Sequence, residues 1–151
     1  MNKLLLIGFL ALSISLAFGQ NKEIVETKKA PIPTAPYSQG VKANGMLYVA
    51  GQIGLNPQTR KLVEGGIDPE TIQVMENIKA VVEAAGAKME DIVNTTIYLK
   101  DIANFARVNE LYGQYFEGKF PARTTVGVAN LPGGANIEIA VIVVLPKIRR
   151  K

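Results

Sequence analysis

The chain has 151 residues, 48% of them hydrophobic, and a formal net charge of +4, which suits one globular domain with its own core and excludes a disordered chain. It contains neither cysteine nor histidine, which excludes disulfides, thiol nucleophiles, His-based general bases and most zinc sites. The positive excess is terminal: between residues 4 and 146 there are 12 basic and 13 acidic residues, a balance that argues against a nucleic-acid face and leaves residues 147–151 as a solvated basic tail.

The first twenty residues, MNKLLLIGFLALSISLAFGQ, place Lys3 before an apolar run from Leu4 to about Ala17, closed by Ala17-Phe18-Gly19. This pattern predicts a signal peptide over 1–19, cleaved near Gly19, and a periplasmic or secreted protein. The run is too short for a stable membrane span in the mature form; a membrane anchor or a buried first helix are the alternatives. Residues 20–36, with Pro31, Pro33 and Pro36, are expected to form an extended lead-in to a domain over 37–146.

In the domain, Asn44-Gly45 between apolar-leaning runs predicts a hairpin, because both turn positions require positive φ. MLYVAGQIGL continues as a strand to about Asn56-Pro57, and a polar loop follows. Asp68-Pro69-Glu70 predicts a helix start, with Asp68 accepting from free backbone N–H groups. Ile72, Met75, Ile78, Val82 and Ala85 would form its apolar stripe, and Gly86 fits the position just past its end. Ile92–Leu99 reads as a strand. Asp101 opens a second helix whose apolar side carries Phe105, Val108, Leu111, Tyr112, Tyr115 and Phe116, with Gly118 beyond it. Thr124–Ala129 and Ile137–Leu145 finish the chain as strands, joined through Gly133-Gly134. The order ββαβαββ predicts a single α+β domain, one sheet with both helices on one face. IEIAVIVVL carries little polar content besides Glu138, where a one-sided sheet would alternate, so its second face is expected to be covered by another subunit.

Gly133-Gly134 lacks the spacing and the lysine of a phosphate loop, and no metal-ligand cluster is evident. Two lone charges remain at apolar strands: Arg123, at the mouth of its strand, and Glu138. They could pair with each other as a structural salt bridge. Alternatively, Arg123 binds a ligand carboxylate through its planar fork while Glu138 holds or activates a water. Spacing alone leaves both open.

The segments APYSQG (35–40), AGQIGLNP (50–57), VEAAGAKMEDIVNTTIYLKD (82–101), FARVNELYGQYF (105–116), FPARTTVGVANLP (120–132) and IEI (137–139) resemble, in order and from about Ala30 to Val144, the Rid family (YjgF, reactive intermediate deaminases, older label endoribonuclease L-PSP). The resemblance implies a chorismate-mutase-like fold, a homotrimer with clefts between subunits, and hydrolysis of 2-imino acids and enamines, such as 2-iminobutyrate and 2-iminopropionate, to 2-keto acids and ammonia without a cofactor. By position, Arg123 matches the arginine that grips the substrate carboxylate and Glu138 the glutamate beside the attacking water. Tyr37, Gly51, Asn109 and Thr125 match further positions lining the cleft; the last is often Cys in the family. Each also has a plain structural reading: a rim residue, a bulge, a helix-surface amide and an ordinary strand residue. Ala50 stands where deaminases often carry Ser, and Ala140 where a second Glu is common. These departures keep open a non-catalytic trimer binding small carboxylates; the endoribonuclease of the older label is disfavoured by the neutral body and the lack of histidine.

Overall fold

A computed structural model describes residues 22–146; the leader and the basic tail expected from sequence lie outside the described residues. Six strands, β1 (Glu23–Val25), β2 (Gly40–Ala43), β3 (Met46–Ile53), β4 (Ile92–Leu99), β5 (Ala122–Gly127) and β6 (Ile137–Val144), form one sheet in the order β1-β2-β3-β6-β4-β5. All neighbours are antiparallel except β4 and β5, which run parallel. Helices α1 (Ile67–Ala84) and α2 (Phe105–Gly113) contact each other, and α1 packs on β3 and β6. This is the expected α+β architecture with one addition. The lead-in contributes β1, whose Glu23 sits opposite Lys42 of β2 and pairs with it at 2.8 Å.

Local chemistry accounts for the boundaries. Asn44 and Gly45 both have positive φ, 51° and 75°, and turn β2 into β3. Past α1, the Gly86 N–H bonds the Glu83 carbonyl and the Ala87 N–H the Val82 carbonyl, with Gly86 at φ 82°. That pattern satisfies two otherwise orphaned helix-end carbonyls. The start of α1 differs from expectation. The helix begins at Ile67 after Gly66 with no side-chain cap, and Asp68 instead bonds Arg107 of α2 through both Nε and Nη2. A guanidinium fork offers two charge-assisted bonds, which outcompete one backbone N–H. Arg107 holds the Asp68 carboxyl below its ordinary value, chiefly by that hydrogen bonding. Asp101 does cap, accepting from the Ala103 N–H at 2.9 Å in the short turn that leads into α2.

The core lies between the helices and one sheet face. Val74, Met75, Ile78, Val81 and Val82 of α1 cluster with Leu47, Val49, Ile97, Leu99, Ile137, Ile139, Val141 and Val143. Burying one such side chain is worth about 1.5–3 kcal/mol, so this face holds the domain together. Ile72, expected in the stripe, is 45% exposed, because the helix turns Thr71 and Val74 inward instead. Along β6 burial alternates: Ile137, Ile139, Val141 and Val143 face the helices, while Glu138, Ala140, Ile142 and Val144 face away. The outward face is apolar for a surface, with Tyr48, Ile142 and Val144 on neighbouring strands β3 and β6.

Candidate active site

Arg123 is the second residue of β5 rather than a residue at its mouth, since the strand begins at Ala122. In the parallel ladder it sits opposite Thr95, which is buried under the helices. Directly opposed residues of a ladder point to one side, so the Arg123 side chain lies on the helix side of the sheet, at its open edge. There α2 meets it with aromatic rings. The guanidinium carbon stands 5.1 Å from the Tyr112 ring centre and 5.6 Å from that of Phe105, within cation–π range. Tyr112 is itself fixed by a 3.0 Å hydrogen bond to the Thr95 hydroxyl. Burial raises its phenol pKa, partly offset by that bond and by the Arg123 charge, so the phenol stays neutral at physiological pH. The Arg123 side chain makes no salt bridge or hydrogen bond among the described residues. A recess of about 350 Å³ opens beside it, lined by Asn109, Tyr112, Gly113, Phe120, Pro121 and Arg123.

Glu138 occupies the other face. It sits opposite Tyr98 in the β4–β6 ladder, three residues from Thr95, and the two-residue side-chain period puts it on the opposite side from Arg123. The salt bridge between the two charges, left open by the sequence, is therefore not formed within one chain. A bulge in β3 sets Ala50 and Gly51 against Ala140 between the Val49–Val141 and Gln52–Ile139 pairs. The Glu138 carboxylate lies over this bulge: a Cβ on Gly51 would come within 1.9 Å of its Oε1. With Tyr37, Ala50, Gly51, Ile53, Leu55 and Pro132 it lines a recess of about 260 Å³. Burial pushes the Glu138 carboxyl above its ordinary value.

The six residues singled out from sequence thus divide. Arg123 and Asn109 share one recess, Tyr37, Gly51 and Glu138 the other. Thr125 lies two residues beyond Arg123 on its face of β5. Its hydroxyl is the buried side-chain polar atom without a hydrogen-bond partner among the described residues. Sequence reasoning treated Phe105 and Tyr112 only as core. Their spacing of seven, two helical turns, places them on one side of α2, but the arginine they hold comes from a distant strand. Gln39 was likewise missed. Buried just before β2, its amide donates to the Thr27, Ala30 and Pro31 carbonyls and accepts from the Thr27 N–H, holding the lead-in beside Tyr37.

Gly51→Ala gives a direct check on the Glu138 recess. The φ of Gly51 is not positive, so the backbone accepts alanine, and the obstructing atom is the far end of a flexible side chain. The variant is expected to melt within a few degrees of the wild type and to displace the carboxylate. Any activity that depends on Glu138 should fall about 10- to 100-fold; full activity would show that the close approach has no functional weight.

The family model described as Endoribonuclease L-PSP matches residues 27–145. A RutC family protein from Saccharolobus solfataricus is 54% identical over 121 residues, covering 80% of this chain and 96% of its own. A 2-iminobutanoate/2-iminopropanoate deaminase from Dermatophagoides farinae is 46% identical over 124 residues, covering 82% and 97%. Among solved structures, a conserved Rid family protein from Yersinia pestis superposes with a TM-score of 0.81 at 48% identity, covering 83% of this chain and all of that one. Serine-bound TdcF from E. coli gives 0.79 at 37% identity, covering 82% and 99%.

These relatives overturn the periplasmic or secreted placement. Archaeal and bacterial members are matched over 96–97% of their own length by 121–122 residues of this chain, which leaves them no counterpart of a leader over residues 1–19. The export reading rested on the composition of residues 1–19, which lie outside the described residues. A family match over most of the chain, relatives near half identical across almost their whole length, and a shared fold together make this chain a member of the Rid family.

Proposed function

We propose that the protein is a deaminase hydrolysing small reactive 2-imino acids and their enamines, 2-iminobutyrate and 2-iminopropionate among them, to 2-keto acids and ammonia, in clefts built by adjacent copies of the chain. The observation that carries this reading is the Arg123 guanidinium, set against two aromatic rings beside an open recess and paired with no carboxylate among the described residues. Such a group is preorganised for a ligand carboxylate. The deaminase named among the relatives and the amino acid bound to TdcF support a ligand of this size and charge.

Arg123 and Glu138 lie on opposite faces, so one chain alone does not bring them to one substrate. A closed homotrimer in which the sheet face of one copy meets the β5–α2 edge of the next would form three clefts. In each, Arg123 with Asn109 and Thr125 would hold the carboxylate and orient the C=N carbon. Glu138 from the neighbour, near Tyr37 and Gly51, would align water. Water adds to the carbon of the protonated imine as the π electrons move to nitrogen, and Glu138 takes a proton from the water. It then returns that proton to the amine. As the C–N bond breaks, Glu138 takes the proton of the new hydroxyl and the C=O forms, releasing the 2-keto acid; the departing ammonia carries that proton away as ammonium and leaves the carboxylate free for the next turnover. The chain's own groups supply every step.

A second reading, a trimer that binds small carboxylates without catalysis, draws on the lining of the Glu138 recess. Besides Tyr37 and Glu138, the side chains there are apolar or absent: Ala50, Gly51, Ile53, Leu55 and Pro132. An imine-trapping assay separates the two. An amino acid oxidase generates 2-iminobutyrate or 2-iminopropionate, semicarbazide traps it, and the protein competes by hydrolysis. Suppressed trapping supports the deaminase; 2-keto acid binding by calorimetry with no suppression would replace it with the binding trimer.

A further inference from the structure

Glu70 is an unexpected core residue. An acidic side chain in the first turn of a helix ordinarily complements the dipole from solvent, yet Glu70 is only 4% exposed and no lysine or arginine pairs with it among the described residues. A buried carboxylate without a cation is costly unless hydrogen-bond donors satisfy it. Both donors come from one residue: the Asn136 backbone N–H reaches Oε2 at 2.8 Å and the Asn136 side-chain amide reaches Oε1 at 2.5 Å. Asn136 stands just before β6, where its carbonyl also accepts from the Lys100 N–H at 3.0 Å, and Glu138 follows two residues later.

The same helix grips the opposite wall of the Glu138 recess. The Asn77 amide, fully buried, donates to the Ile53 and Leu55 carbonyls at 3.1 and 2.9 Å. Ile53 is the register partner of Glu138, and Ile53 and Leu55 line its recess. Between these anchors Gly54 leaves no room for a side chain, since a Cβ there would lie 2.9 Å from the Glu70 Cα. The buried polar groups of α1 therefore fasten both the start of β6, which carries the carboxylate, and the end of β3 that faces it. Buried, fully satisfied polar networks of this kind define geometry more than they add stability.

We infer that Glu70, acting through Asn136, is a positioning residue that sets the start of β6 and with it the Glu138 carboxylate. The inference rests on the role proposed for Glu138 in imine hydrolysis. Asn136→Asp sets a second carboxylate against Glu70 and should lower kcat about 10- to 100-fold, with KM and 2-keto acid binding stoichiometry close to wild type. Glu70→Gln alone should be nearly neutral: its oxygen still accepts from the backbone N–H, and its amide donates to the turned Asn136 side chain. Combined with Asn136→Asp, it again supplies a donor to residue 136 and should restore kcat. In a Glu138→Gln background, Asn136→Asp should cost no further rate, because its effect passes through the missing carboxylate. Asn136→Ala, which keeps the backbone donor and adds no charge, gives the same readout if the aspartate variant does not accumulate. Equal losses in both backgrounds, or wild-type kcat for the Asn136 variants while Glu138→Gln is inactive, would overturn the inference alone. An active Glu138→Gln enzyme would instead overturn the role of Glu138 on which it rests.

Discussion

Arg123→Ala is expected to abolish measurable imine hydrolysis while leaving a folded domain. The fold should survive because Arg123 belongs to no ion pair among the described residues. It contributes two contacts to ring faces, each worth about 0.5–1 kcal/mol at a partly exposed site, at an edge strand. The activity should not survive, because the same guanidinium is the recess's cation. Two charge-assisted hydrogen bonds to a carboxylate, at about 1.5–3 kcal/mol each, correspond to a loss in kcat/KM of about 10²- to 10⁴-fold. Arg123→Lys should be little better. An ammonium keeps the charge but loses the planar fork that meets a carboxylate through two parallel hydrogen bonds. Trapping assays and thermal melts on both variants, with 2-keto acid binding by calorimetry, test this. Wild-type hydrolysis by a folded Arg123→Ala protein would remove Arg123 from the mechanism.

Much of the fold was legible because it is written locally. Asn44-Gly45 and Gly86 each answer a backbone demand that few other residues meet, and Ile92–Leu99 is a strand by composition with the same ends in the structure. What escaped was long-range. β1 is three residues long, too short for an alternation to show, and it becomes a strand only by pairing with β2. Asp68 was a plausible cap until Arg107, 39 residues away, came within reach. The site followed the same rule. Arg123 and Glu138 could be singled out as lone charges in apolar strands. Their opposite faces follow from the Arg123–Thr95 and Glu138–Tyr98 registers, which no local pattern encodes. Glu70 stands in a first helical turn, where an acidic side chain ordinarily complements the dipole from solvent, and nothing near it in sequence announces Asn136.

Glu138→Gln should lower kcat by about 10²- to 10⁴-fold, the usual worth of a general acid–base group, while 2-keto acid binding persists because Arg123 is untouched. The pH dependence carries the sign. Burial raises the Glu138 pKa, and the proposed hydrolysis uses its carboxylate form, so wild-type kcat/KM should fall as pH drops through this raised value. Stability runs the other way. A carboxyl with a higher pKa in the folded state binds its proton more tightly there, so its stabilising contribution is present below the unfolded pKa and is lost as pH rises through the folded one. Glu138→Gln removes both trends, and an acid limb that persists in the residual activity would assign it to another group. The division of the site adds a sharper test. Arg123→Ala and Glu138→Gln subunits, each inactive alone, should form mixed trimers when dissociated and reassembled together. In a closed ring each mixed trimer regains one complete cleft, so random 1:1 assembly should recover about a quarter of wild-type activity. The opposite faces of Arg123 and Glu138 demand such complementation if neighbouring copies share the cleft; its absence from verified mixed trimers would mean that the two residues never meet at one substrate.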